Sequence, residues 1–207
     1  SCIAFTFPPL AAQYRLAKLH EKGLGVPRDL GMAREWTERA ANGGNVKAMH
    51  DLAVYYAEGD AGSQSYAAAA EWFRKAADYG LTDSQYNLAV LYEAGLGISP
   101  SKSEALYWYE VAARQGDEGA PEKIDELRNG LSLEVAQNAQ RRAAAWSPAS
   151  SEPEANGRFT SQPWQTSSGE QVAAIQTVLA ALGYEPGPAD GIMGSGTIAA
   201  IASYKSE

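Results

Sequence analysis

Residues 82–116 read TDSQYNLAVLYEAGLGISPSKSEALYWYEVAARQG. Leu88, Ala89 and Tyr92 stand at offsets of one and four, which puts them on one helix face. Gly95 follows, a residue that tolerates the positive φ past a helix end. Ala105, Trp108 and Ala112 then recur at spacings of three and four, the signature of a second helix. Thr82 with Gln85 and Ser101 with Glu104 have the form of capping boxes at the two helix starts. The stretch predicts a helical hairpin with small alanines where its helices meet and a tryptophan beside them.

The same hairpin is written three times. Leu16, Leu52 and Leu88 lie 36 apart, as do Gly23, Gly59 and Gly95, and Trp36, Trp72 and Trp108. Ala33, Ala69 and Ala105 keep the register, and Gly44, Gly80 and Gly116 close the units. One hairpin cannot bury its own apolar stripe, so the copies must stack. The fold class expected is all-α, an α-α solenoid. Its expected organisation is an N-terminal extension at 1–10, three repeats at 11–116, capping helices at 117–146, a linker at 147–167 and a small helical module at 168–207.

The pattern A-x-Y-x-L-A-x-L-(H/Y)-E-x-G-L-G-(V/I), then A-x-x-W, then A-A-x-x-G, resembles the Sel1-like repeat, a relative of the tetratricopeptide repeat. The second copy departs from it, with Glu58-Gly59-Asp60-Ala61-Gly62 in place of the Gly-Leu-Gly loop. With no unit before Ala11, earlier repeats are expected upstream. The resemblance implies a protein-interaction scaffold in which one helix of each pair lines a concave groove. Carried onto this chain, the partner-binding rows would be Tyr14, His50 and Tyr86; Lys18, Val54 and Val90; and Glu21, Ala57 and Glu93. Two readings of the aromatic row stand side by side: capture of a protein or peptide partner, or packing between units.

After the repeats, Pro121 suits a first helical turn and Ile124, Leu127 and Leu131 form a stripe. Ser132 can cap a further helix carrying Leu133, Ala136, Ala139, Ala143 and Trp146. This pair is expected to cap the solenoid. The stretch SPASSEPEANGRFTSQPWQTS then has few aliphatics and reads as a linker, with Trp164 either docked or exposed. From Ser168 and Gln171, a further capping box, the tail carries Val172, Ile175, Gln176, Leu179, Leu182, Gly183 and Tyr184. Asp190, Gly191, Met193, Gly194, Thr197, Ala200, Ile201 and Tyr204 follow. This resembles the peptidoglycan-binding domain attached to many bacterial wall enzymes. The resemblance implies glycan contact near Tyr184, Asp190, Gly191, Met193 and Thr197. That family continues with a turn and a third helix where this sequence stops, so a truncated module is expected. The order of parts is similar to the periplasmic end of an alphaproteobacterial polar-organelle-development protein, which implies a membrane anchor outside this sequence.

Charge and residue types narrow the chemistry. A formal charge of −8, from 17 basic and 25 acidic side chains, disfavours nucleic acid, and no Lys/Arg run offsets it. One cysteine, Cys2, allows no internal disulfide. The first ten residues lack the basic start and long apolar run of a signal peptide. His20 aligns with Tyr56 and Tyr92, and His50 with Tyr14 and Tyr86, so both histidines are expected as packed aromatic substitutes. No metal, cofactor or catalytic constellation is expected. Glu93 and Glu110 are expected to be solvated. A wall-binding accessory of a peptidoglycan enzyme is the other reading of the whole chain.

Overall fold

The computed structural model describes residues 10–59 and 64–150, together with 176–177, 179–180, 183–188, 196 and 200. Two compact units divide the chain, one of Ser1–Gly43 with Pro153–Glu207 and one of Gly44–Glu152. The first unit contains α1 (Leu10–Lys22) and α2 (Leu30–Asn42), packed on each other. The second contains α3 (Val46–Glu58), α4 (Tyr66–Asp78), α5 (Thr82–Ala94), α6 (Lys102–Arg114), α7 (Ala120–Arg128) and α8 (Leu133–Ala145). The described elements are thus all helical, as expected. None of them is long and apolar enough to cross a membrane.

The period of the sequence is the period of the helix boundaries. The first helix of each pair starts at 10, 46 and 82, the second at 30, 66 and 102, and all six have 13 residues. Each pair is closed by the same hydrogen bond: Asp29, Ser65 and Ser101 donate their amides to the carbonyls of His20, Tyr56 and Tyr92 at 2.9, 2.8 and 2.9 Å. The side chains of Asp29, Ser65 and Ser101 then accept from the amide three residues on, satisfying a donor that a helix start leaves open. Asn45 caps α3 and Ser132 caps α8 in the same way. Thr82 does not cap α5. The N-cap is Leu81, with no side-chain bond, and Gln85 is fully buried elsewhere rather than reaching back.

In the second unit each helix packs on its chain neighbour from α3 to α7, and α8 packs on α6. Alanines make the closest approaches: Ala53, Ala69, Ala77, Ala89, Ala105 and Ala112 are fully buried, with Leu52 and Leu88 between them. Trp108 is 2% exposed, whereas Trp36 and Trp72 are only half-buried. The Gly-Leu-Gly loop of the third pair locks onto the second. A Cβ placed at Gly97, whose φ is +67°, would fall 2.1 Å from the carbonyl carbon of Tyr66 and 2.2 Å from the Ala67 nitrogen. No side chain fits there. Of the corresponding loop of the second pair, residues 60–63 lie outside the described residues.

Pro121 stands in the first turn of α7, and Ile124, Leu127, Ala139 and Ala143 bury the cap against α6. Leu133 stands in the first turn of α8, the helix expected to carry it, and is 74% exposed there. Arg142 grips Glu104 with both guanidinium nitrogens at 2.6 and 3.1 Å and lies 4.2 Å over the Tyr107 ring. Glu110, expected in solvent, is buried and takes Arg128 at 2.5 Å.

Candidate functional site

The first helix of each pair carries a stripe at i, i+4 and i+7, one vertical row of a helix. In α5 the row is Tyr86, Val90 and Glu93, and all three are half-buried. Tyr86 meets the Tyr109 ring of α6 edge-on, 5.2 Å between centroids and 66° between planes. Tyr109 is fully buried, and its hydroxyl donates to Glu93 Oε2 at 2.9 Å. One tyrosine beneath the stripe therefore holds both of its ends, and Glu93, expected in solvent, is half-buried and paired. α3 repeats the geometry with His50 and Val54. His50 meets Phe73 of α4 edge-on at 5.4 Å and 63°, and its Nδ1 lies 2.8 Å from the Ser84 hydroxyl. His50 is thus the packed aromatic its alignment with tyrosine implied.

In α1 the candidate residues Tyr14, Lys18 and Glu21 also touch. Lys18 pairs with Glu21 at 2.5 Å and sits 5.9 Å from the Tyr14 ring centroid. The position of Phe73 and Tyr109 is Thr37 here, which is fully buried and donates its hydroxyl to the Ala33 carbonyl. Sequence reasoning missed this buried row, although Thr37, Phe73 and Tyr109 stand one repeat apart. The aromatic at the last two was the signal.

α7 joins the site from the other side. Tyr86 lies against Gly119, where an added Cβ would be 3.4 Å from its ring. Lys123 of α7 is hydrogen-bonded to Glu126 at 2.8 Å. That bond, followed by the charge of Glu93, holds its ammonium above the usual lysine range. The α5–α7 face thus presents an aromatic edge, an apolar centre and alternating charges.

Burial, then the hydrogen bond to Glu93, pushes the Tyr109 phenol far above the ordinary tyrosine range. In the unfolded chain it ionises near pH 10, in the fold it does not. The stability this supplies is complete below about pH 10 and is lost as pH rises further, because only the unfolded state sheds the proton. Tyr109→Phe is therefore expected to flatten the alkaline loss of stability between about pH 9 and 11, read as urea midpoints. Identical slopes for both chains would contradict this origin.

Of the tail residues carried over from the wall-binding resemblance, only Tyr184 is described. It is half-buried, and its amide donates to the Leu179 carbonyl at 2.9 Å beside Gly183 at φ +84°. That turn ends the helix where expected, and Gln176 and Leu179 are buried. Asp190, Gly191, Met193 and Thr197 lie outside the described residues, as do Trp164 and the capping box at Ser168 and Gln171.

The Sel1 repeat family matches residues 10–45, 46–80 and 82–117, helix pair by helix pair. This chain belongs to the Sel1 repeat family. The peptidoglycan binding domain family matches residues 168–206. A crystal structure of a Sel1 repeat protein from Oxalobacter formigenes is 32% identical, covers 56% of this chain and 88% of its own, and superposes with a TM-score of 0.55. The structure of c5321, a protective antigen present in uropathogenic Escherichia coli strains displaying an SLR fold, is 24% identical, with a TM-score of 0.54. It covers 75% of this chain, which spans 41% of that protein, and it shares the fold. No curated protein matches this chain. The Sel1 repeats suggest a scaffold for protein interaction, and the tail family suggests contact with peptidoglycan.

Proposed function

We propose that this chain is the non-catalytic periplasmic scaffold of a bacterial cell-polarity factor. It captures a protein partner on the first-helix stripes of its repeats and contacts the wall through its tail. The observation that carries the reading is the pairing beneath the stripe. Tyr86 stands on Tyr109 and His50 on Phe73, so each half-exposed ring is held before any partner arrives. A ring fixed in advance gives a large contact area at little further entropy cost. The order of repeats, cap, Trp-x-Pro segment, linker and tail resembles the periplasmic region of the polarity protein PodJ. That resemblance supports the polar and periplasmic parts of the reading and a membrane anchor outside this sequence.

Tyr86→Ala is expected to weaken partner capture at least tenfold in a pull-down from the envelope fraction, with helical circular dichroism unchanged, as for a buried aromatic anchor. Capture that survives every change at Tyr86, Val90, Glu93, His50 and Val54 would end this account.

The tail match favours a second reading, a wall-binding accessory of a peptidoglycan-remodelling enzyme. The two separate in a pull-down of the tail-deleted chain, run beside sedimentation with purified sacculi. The accessory reading requires the full chain to pellet and a chain without residues 168–207 to stay in solution. The scaffold reading requires the tail-deleted chain to keep its protein partner.

A further inference from the structure

The chain does not leave the repeats where its last helix ends. α8 stops at Ala145, and Trp146 turns extended, φ −69° and ψ 142°, while remaining packed against the core. Three residues on, Ala149 donates its amide to the carbonyl of Asp78 at 2.8 Å. Asp78 is the last residue of α4, a helix of the second repeat. Between these points Pro148 closes over the turn at Gly80. A Cβ at Gly80 would lie 3.1 Å from Pro148 Cβ and 3.7 Å from both the Trp146 ring and Gln115 Oε1.

The floor of this slot is polar and fully satisfied. Gln85 is fully buried, donates to the Ala77 carbonyl at 3.2 Å and accepts from the Gln115 amide. The equivalent glycine one repeat on, Gly116, has the same positive φ but meets nothing within 4 Å. Contact at Gly80 is therefore particular to the segment that crosses it, not general to these turns.

We propose that Trp146–Ala149 is a clasp, an extended Trp-Ser-Pro-Ala segment bound in cis at the boundary of the second and third repeats. It fixes the point from which the tail departs. The proline ring presets the backbone and has no amide to leave unpaired, so little freedom is lost on docking. The tryptophan supplies the apolar anchor, and the Ala149 amide supplies register. The chain is thereby tied to α4 at Ala149, and tension from beyond that point reaches the repeat boundary before it reaches the last turn of α8.

The test uses the full chain with Cys2→Ser, spin labels at Glu71→Cys and Ser150→Cys, and amide exchange read in parallel. The clasp requires a narrow label distance distribution and an Ala149 amide exchanging at least tenfold slower than an unprotected one. Trp146→Ala with Pro148→Gly should broaden the distribution and abolish that protection. Should the double variant lose helicity, Pro148→Gly alone carries the test, since it removes only the ring over Gly80. A broad distribution or an unprotected Ala149 in the parent overturns the proposal, and so does a variant that behaves like the parent.

Discussion

Gly97→Ala is expected to destabilise the second unit by about 3–5 kcal/mol, combining a left-handed backbone with overpacking. The new methyl would sit 2.1 Å from the Tyr66 carbonyl carbon, and backbone cannot step aside as a flexible side chain can. Either the loop lifts from α4 or the first turn of α4 unwinds. The first repeat supplies the internal control. Gly25 occupies the same place in its loop with nearly the same φ, +70°, and an added Cβ meets nothing within 4 Å. Gly25→Ala should therefore lose only the conformational term, about 1–2 kcal/mol. Urea midpoints of the two variants measure the difference directly. Equal losses would mean that the Gly97 loop does not dock as described.

Trp108→Ala carries the second large effect, about 3–5 kcal/mol. The ring is 2% exposed, meets Tyr107 edge-on at 4.9 Å and lies 5.5 Å beneath the Arg74 guanidinium. Truncation leaves a cavity in the close-packed core, and Arg74 loses a surface it stacks on. Trp36, at the same repeat position, is half-buried, with Arg39 4.9 Å over its ring. Its truncation should destabilise by roughly half as much. Denaturation midpoints of the two variants test the ranking, and a larger loss at Trp36 would reverse it.

Much of this was legible in the sequence because a repeat shows each local rule three times. Glycine at a fixed interval marked the turns, and alanine at fixed intervals marked the helix contacts. The departures arise where one copy does something its relatives do not. Gln85 has the spacing of a capping partner for Thr82, yet the burial of its amide against Ala77 and Gln115 wins over a bond at a helix start. Glu110 looks like a surface carboxylate until α7 brings Arg128 to it. Neither contact is local, and spacing along one helix cannot announce a partner on another. The stripe of Tyr86, Val90 and Glu93 was readable from repeat equivalence. Its support by Tyr109 was not, since a phenol at a core position gives no sign of which carboxylate its hydroxyl will find.

The contact order of the second unit has a kinetic consequence. From α3 to α7 each helix packs chiefly on its chain neighbour, and α8 skips one to pack on α6. Loops that close over short distances cost little entropy, so such chains collapse on the fast side of the microsecond-to-second range. Structure can nucleate at any hairpin and spread to its neighbours. The closing step is then the arrival of α8, and with it the ordering of the segment that crosses back to Asp78.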